Sequence, residues 1–121
     1  MEAILIVDDD LNLCKVLAEE LTEMGYKTSY VTSADAALEF IQHEPINLML
    51  LDLKMPEKDG FEVLRELKVR TVTFSVIVLT AYADVVSAME AARMGATDFI
   101  SKPYDFDELL ITIRKVLQKD V

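Results

Sequence analysis

The sequence predicts a doubly wound α/β domain, and three features carry that prediction. Short, wholly apolar runs recur at residues 4–7, 48–51 and 76–79. Runs of that length without polar alternation suit strands buried on both faces of a parallel sheet. Between them, apolar residues return three and four positions apart, the spacing of one helix face. Weaker strand candidates at 28–31 and 98–101 fall at the same interval, which makes five strands alternating with five helices. That alternation marks helices laid on both faces of one sheet and joined by right-handed crossovers.

The helices follow in order. Leu13, Leu17, Leu21 and Met24 share the first apolar face, with Asp10 as the cap and Gly25 placed to end the helix. Ala34, Ala37, Leu38 and Ile41 form the second face, behind Ser33 as N-cap. Phe61, Leu64 and Leu67 mark a third helix, opening after Gly60. Val85, Ala88, Met89 and Ala92 predict the inward face of a fourth, capped by Asp84 and closed near Gly95. Phe106, Leu109, Ile113, Val116 and Leu117 mark the last, where Asp105 and Glu108 have the spacing of a capping box. No linker, repeat or low-complexity stretch interrupts the pattern, so residues 1–121 are expected to form a single domain.

Composition narrows the function classes. With 52% hydrophobic residues the chain can bury a core. No apolar run approaches the ~20 residues that a membrane span needs. The first seven residues lack the basic segment of a signal peptide. A lone Cys14 rules out an internal disulfide, fits a reducing cytoplasm, and reads as a small buried apolar residue. The net charge of −10 argues against nucleic acid as a direct partner and suits a cation site or a basic protein surface.

Asp8, Asp9, Asp52, Thr80 and Lys102 each stand directly after a predicted strand. Strands of a parallel sheet all point one way, so these residues meet at the carboxyl rim, where ligands of open α/β sheets bind. Taken singly, each also fits an ordinary role: a solvated turn, a strand end, a turn hydroxyl, a surface lysine. Their joint placement is what favours a site. Three crowded carboxylates repel unless a cation or proton intervenes. Oxygen-only ligands suit Mg²⁺. Zinc is disfavoured, because the single histidine, His43, falls at a helix end away from the rim. A carboxylate beside a metal can accept a phosphoryl group, with the metal and a lysine offsetting charge on the equatorial oxygens.

The order Asp8-Asp9, then Asp52 within Leu-Leu-Asp-Leu-Lys-Met-Pro, then Thr80-Ala81, then Lys102-Pro103 resembles the receiver domain of bacterial response regulators. The resemblance implies a flavodoxin-like (βα)5 fold with strand order 2-1-3-4-5. It implies that Asp52 accepts a phosphoryl group from a sensor histidine kinase, and that the chain is a switch rather than an enzyme acting on other substrates. Asp9, Asp52 and the carbonyl of Lys54 are then direct Mg²⁺ ligands, with Asp8 acting mostly through water. Thr80 and Lys102 contact the phosphoryl oxygens, and Phe99 turns inward when the threonine moves. Ala81 leaves room beside the phosphoryl group, Gly60 opens the third helix, and the Lys102-Pro103 bond is cis. Lys54 and Tyr82 flank the approach of hydrolytic water, which implies slow loss of the phosphoryl group. Ile111 lies off the last helix's apolar stripe, on a face expected to pair two phosphorylated copies.

The segments 95–99 and 104–109 look most like receivers of σ54-dependent activators, which implies transcription control through an ATPase or DNA-binding domain outside this chain. A free-standing phosphorelay intermediate and a receiver-like module that is never phosphorylated are the competing readings. Haloacid-dehalogenase phosphatases need an acidic residue where Lys54 stands, so proton donation to the leaving group would be missing. A nucleotide- or flavin-binding module needs a glycine-rich first turn, and Asp8-Asp9-Asp10 would repel its phosphate.

Overall fold

A computed structural model describes residues 1–81 and 85–118. The elements alternate as β1 (Ala3–Val7), α1 (Leu11–Glu23), β2 (Lys27–Val31), α2 (Ala34–His43), β3 (Leu48–Leu51), α3 (Gly60–Arg70), β4 (Ser75–Thr80), α4 (Val85–Arg93), β5 (Asp98–Ser101) and α5 (Phe106–Gln118). The strands form one parallel sheet in the order β2-β1-β3-β4-β5. Strand order reverses at β1, which lies between β2 and β3, and the crevice there is the usual ligand position.

Side-chain alternation divides the core in two. Leu5, Val7, Met49, Leu51, Val76 and Val78 face one side, where α2, α3 and α4 pack through residues such as Ala37, Leu64 and Ala91. Ile4, Ile6, Leu48, Leu50, Ile77 and Leu79 face the other, against Cys14, Leu17 and Leu21 of α1 and Leu109 and Ile113 of α5. Both faces of the central strands are therefore dry, which is why they read as unbroken apolar runs.

The caps explain the helix starts. Asp10 accepts from the Leu13 N–H at 3.1 Å, Ser33 from Ala36 at 3.1 Å, and Asp59 from Glu62 at 3.0 Å. Asp105 accepts from Asp107 at 3.1 Å just ahead of α5. Gly25 and Gly95, at φ 98° and 100°, close the chain after α1 and α4 in a conformation that costs glycine little.

Three expectations need correction. Thr80 ends β4 rather than following it, because the β4–β5 ladder runs on to the Thr80–Ser101 pair. The third helix begins at Gly60 itself, with Asp59 as its cap. In α4 the inward residues are Ser87 and Ala91, while Val85, Met89 and Ala92 are exposed. The helix is apolar on most sides, so spacing alone does not select its face. The fold turns the small Ser87 and Ala91 inward, with Ala91 in the core. The expected cap Asp84 lies outside the described residues, as does Tyr82.

Candidate metal and phosphoacceptor site

The ladder places the rim residues. Val7 pairs with Leu51, so Asp8 and Asp52 are the next residues of adjacent strands. Their backbones stay pinned beyond the strand ends: Asp8 N–H donates to Val31 O at 3.2 Å and Asp52 N–H to Val7 O at 2.9 Å. Lys102 N–H donates likewise to Thr80 O at 2.9 Å. The sheet therefore fixes where each side chain starts.

One oxygen from each of Asp8, Asp9 and Asp52 falls within 4.8 Å of the others. Asp8 and Asp52 are buried at 2% and 6% exposure, while Asp9 faces solvent. Lys102 Nζ reaches in to donate to Asp8 Oδ2 at 2.6 Å and to Asp52 Oδ2 at 3.4 Å. Thr80 is fully buried at the end of β4, and Phe99 packs half-buried on the same sheet face as Val78. Ala81 is exposed beside them. The Lys102-Pro103 peptide is cis.

Electrostatics follow from burial and crowding. Burial raises the Asp8 carboxyl above its ordinary value, against the opposing hydrogen bond from Lys102. Burial works against the Lys102 charge, but the Asp8 bond and the charges of Asp8 and Asp52 outweigh it and raise the ammonium. Three carboxylates against one ammonium leave the cluster with surplus negative charge. A cation answers that surplus, and the all-oxygen donor set fits Mg²⁺ better than a thiophilic metal.

Several further residues support the site. Leu53 and Met55, at 1% and 7% exposure, anchor the loop after Asp52 in the core. Gly60 lies so close to that loop that an added Cβ would stand 2.5 Å from Asp52 O. Cys14 is buried as expected, and its Sγ also meets the Asp8 carbonyl at 3.4 Å. Leu53 and Met55 fall within the Leu-Leu-Asp-Leu-Lys-Met-Pro stretch, Gly60 reads as a glycine at a helix start and Cys14 as a cysteine on an apolar face, but their contacts with the site carry no signal in the sequence. His43 sits at the end of α2, bonded to exposed Glu39 at 3.1 Å, and takes no part in the acidic cluster.

This fold and this rim define the receiver domains of response regulators. A model of the response regulator receiver domain matches residues 4–114, and the chain belongs to that family. It is 40% identical to the transcriptional regulatory protein ZraR of Escherichia coli strain K12 over 114 residues, 94% of this chain and 26% of ZraR. It is 36% identical to sporulation initiation phosphotransferase F of Bacillus subtilis over 116 residues, 96% of this chain and 94% of that protein. The crystal structure of response regulator TrrA from Thermotoga maritima, in complex with Mg²⁺ and beryllofluoride, superposes with a TM-score of 0.86. That pair is 33% identical, covering 96% of this chain and 99% of the other. The chain thus spans about a quarter of ZraR and nearly all of the sporulation protein.

Proposed function

We propose that this chain is a phosphorylation-driven signalling switch with Asp52 as phosphoacceptor. The observation that carries this reading is the convergence of Asp8, Asp9, Asp52 and Lys102 at the β1–β3 crevice. A carboxylate oxygen of Asp52 attacks the phosphorus of a phosphohistidine on a sensor kinase, the P–N bond breaks, and the imidazole leaves. Asp9, Asp52 and the Lys54 carbonyl would hold Mg²⁺, with Asp8 assisting. When bound, the metal supplies charge stabilisation to the transferring oxygens. Lys102 Nζ and the Thr80 hydroxyl bind the phosphoryl oxygens. The chain turns over no other substrate.

In the output step Thr80 and Phe99 move inward together and shift a pre-existing equilibrium. Exposed Val85, Val86 and Met89 on α4 and Ile111 on α5 supply an apolar pairing face for a phosphorylated homodimer. The likeness to ZraR supports a transcription-regulating protein whose ATPase or DNA-binding domain lies outside this chain, with residues 1–121 as its receiver. The near-full coverage of the sporulation phosphotransferase supports a second reading, a free-standing phosphorelay intermediate. A cytoplasmic location fits both. Among the described residues no helix is long and apolar enough to cross a membrane. Lys54, exposed beside the acceptor, and Tyr82 slow the attack of water on the phosphoaspartate. Replacing both with Ala is expected to shorten its lifetime, and an unchanged lifetime would remove that role.

Beryllofluoride, a stand-in for the phosphoryl group, tests the function. With Mg²⁺ it should shift the amide NMR signals of Asp52, Thr80, Phe99 and Lys102. A spectrum that does not respond would contradict the proposal.

A further inference from the structure

The carboxyl ends of α3 and α4 meet at the opposite end of the sheet from the acidic rim, and a cavity of about 270 Å³ opens between them. Its floor is apolar and belongs to the core: Leu67 and Val76 are buried, and Phe74 and Met94 pack half-buried against them. Its charged residues are Lys68 from α3 and Arg93 from α4, both exposed, and no carboxylate lines it. In a chain with 22 acidic side chains against 12 Lys and Arg, that is a local reversal of sign. Both cations sit in the last turn of a helix, where a positive side chain ordinarily complements the carbonyl end. That role needs no apolar cavity beside it. The carbonyls there are also answered: Ala91 O accepts from the Ala96 N–H at 3.0 Å, Ala92 O from Gly95 at 3.1 Å and Lys68 O from Thr71 at 3.3 Å. Neither cation is committed elsewhere. Lys68 Nζ makes one long bond, to Arg93 O at 3.4 Å. Arg93 meets exposed Glu90 at 3.6 Å, a pairing that contributes little in water.

We propose that this cavity binds a small organic carboxylate with an apolar body, about the size of benzoate. The body covers Leu67, Phe74 and Met94. The carboxylate lies between the Lys68 ammonium and the Arg93 guanidinium, whose planar fork matches two carboxylate oxygens. The volume stands just below the range of about 300–1,000 Å³ that suits drug-sized ligands, which sets the upper size of the occupant. The apolar body is required, because a bare anion gains little from two exposed cations in water. Once bound, the ligand ties α3 to α4 through one anion. Val76 of the floor stands roughly 13 Å along β4 from Thr80, so occupancy leaves the acidic rim free. The site therefore stands whether or not Asp52 is the phosphoacceptor.

Titration of the whole chain with benzoate, followed by amide NMR, tests the site. Benzoate should shift the Leu67, Thr71 and Gly95 amides along one saturable curve, with a dissociation constant on the order of a millimolar. Benzamide has the same shape without the charge and should bind about tenfold or more weakly. Inorganic phosphate at matched ionic strength should leave these amides in place. Lys68→Gln combined with Arg93→Gln, both at exposed positions, should weaken benzoate by about tenfold or more. Lys27→Gln combined with Arg114→Gln removes the same charge from exposed positions on β2 and α5 and should leave the affinity unchanged. The absence of a saturable shift at these amides would overturn the proposal. So would benzamide binding as tightly as benzoate, or equal benzoate affinity in the double variant at Lys68 and Arg93. Phosphate shifting the same amides as strongly would reveal a bare anion site and overturn it as well.

Discussion

Gly60 packs directly on the backbone of the proposed phosphoacceptor. A Cβ at this position would lie 2.5 Å from Asp52 O and 2.6 Å from Leu53 Cα, and backbone atoms tied to the sheet cannot rotate aside. Gly60→Ala should therefore push the Asp52 loop outward and cost about 1–3 kcal/mol, the range for overpacking. Urea unfolding would measure the loss, and a variant as stable as the wild type would show that the loop yields freely. Cys14 gives a pH signature. Burial, with the charges of Asp8 and Asp10 adding to it, pushes the thiol from 9.0 up to about 11. Between those values the unfolded chain carries a thiolate while the folded chain keeps its proton. Stability contributed by the neutral thiol is thus full below pH 9.0 and is lost as pH rises toward 11. The slope approaches about 1.4 kcal/mol per pH unit. Cys14→Ala should flatten the unfolding free energy between pH 9 and 10, before Tyr104, raised by burial from 10.0 to about 12, begins to contribute. An unchanged slope in that window would contradict the assignment. At this scale the rim residues are legible in the sequence, because each ends or follows an apolar run. The parts played by Leu53, Met55 and the Cys14–Asp8 contact are not, since they depend on which atoms meet across a turn.

Elements differ in how firmly sequence specifies them. β1, β3 and β4 are buried on both faces and show as unbroken apolar runs, whereas the edge strand β2 is half exposed and shows weakly. α1 and α5 carry one clear apolar stripe each, and their buried residues follow it, except that Met24, expected on the α1 face, is the cap beyond the helix and is 45% exposed. α4 has no such stripe. Its Val85, Val86 and Met89 are 75%, 77% and 55% exposed, while Ser87 and Ala91 are buried. Helix spacing alone cannot choose among so many apolar positions; packing in the fold does, and it buries the small ones. Val86→Lys and Met89→Gln should accordingly change stability by less than about 0.5 kcal/mol, whereas Ala91→Asp, which buries a charge, should cost several times more. If the α4–α5 face pairs copies, the two surface changes should also abolish association of the phosphorylated form in light scattering. Association that survives both would place pairing elsewhere.

The whole molecule carries a net charge of −10, and three of its carboxylates gather at the carboxyl end of the central strands. Cation binding to the folded state alone should stabilise it through linkage, by about 2.7 kcal/mol at a hundredfold excess over the dissociation constant. The melting temperature should rise with Mg²⁺, and Asp9→Asn should blunt the rise. A melting point indifferent to Mg²⁺ would remove the metal from this account. The alternation of strands and helices is legible from apolar periodicity. The strand order is not, because nothing in local spacing says which strands are neighbours; the motif resemblance supplied it, and the sheet has that order.

The central claim is that Asp52 is the phosphoacceptor of a metal-dependent switch, and intact-mass spectrometry after incubation with acetyl phosphate tests it most directly. The wild type with Mg²⁺ should gain one phosphoryl group. Asp52→Asn should gain none, and a chelator should abolish labelling of the wild type. Equal labelling of Asp52→Asn, or no labelling of the wild type with Mg²⁺ present, would contradict the account.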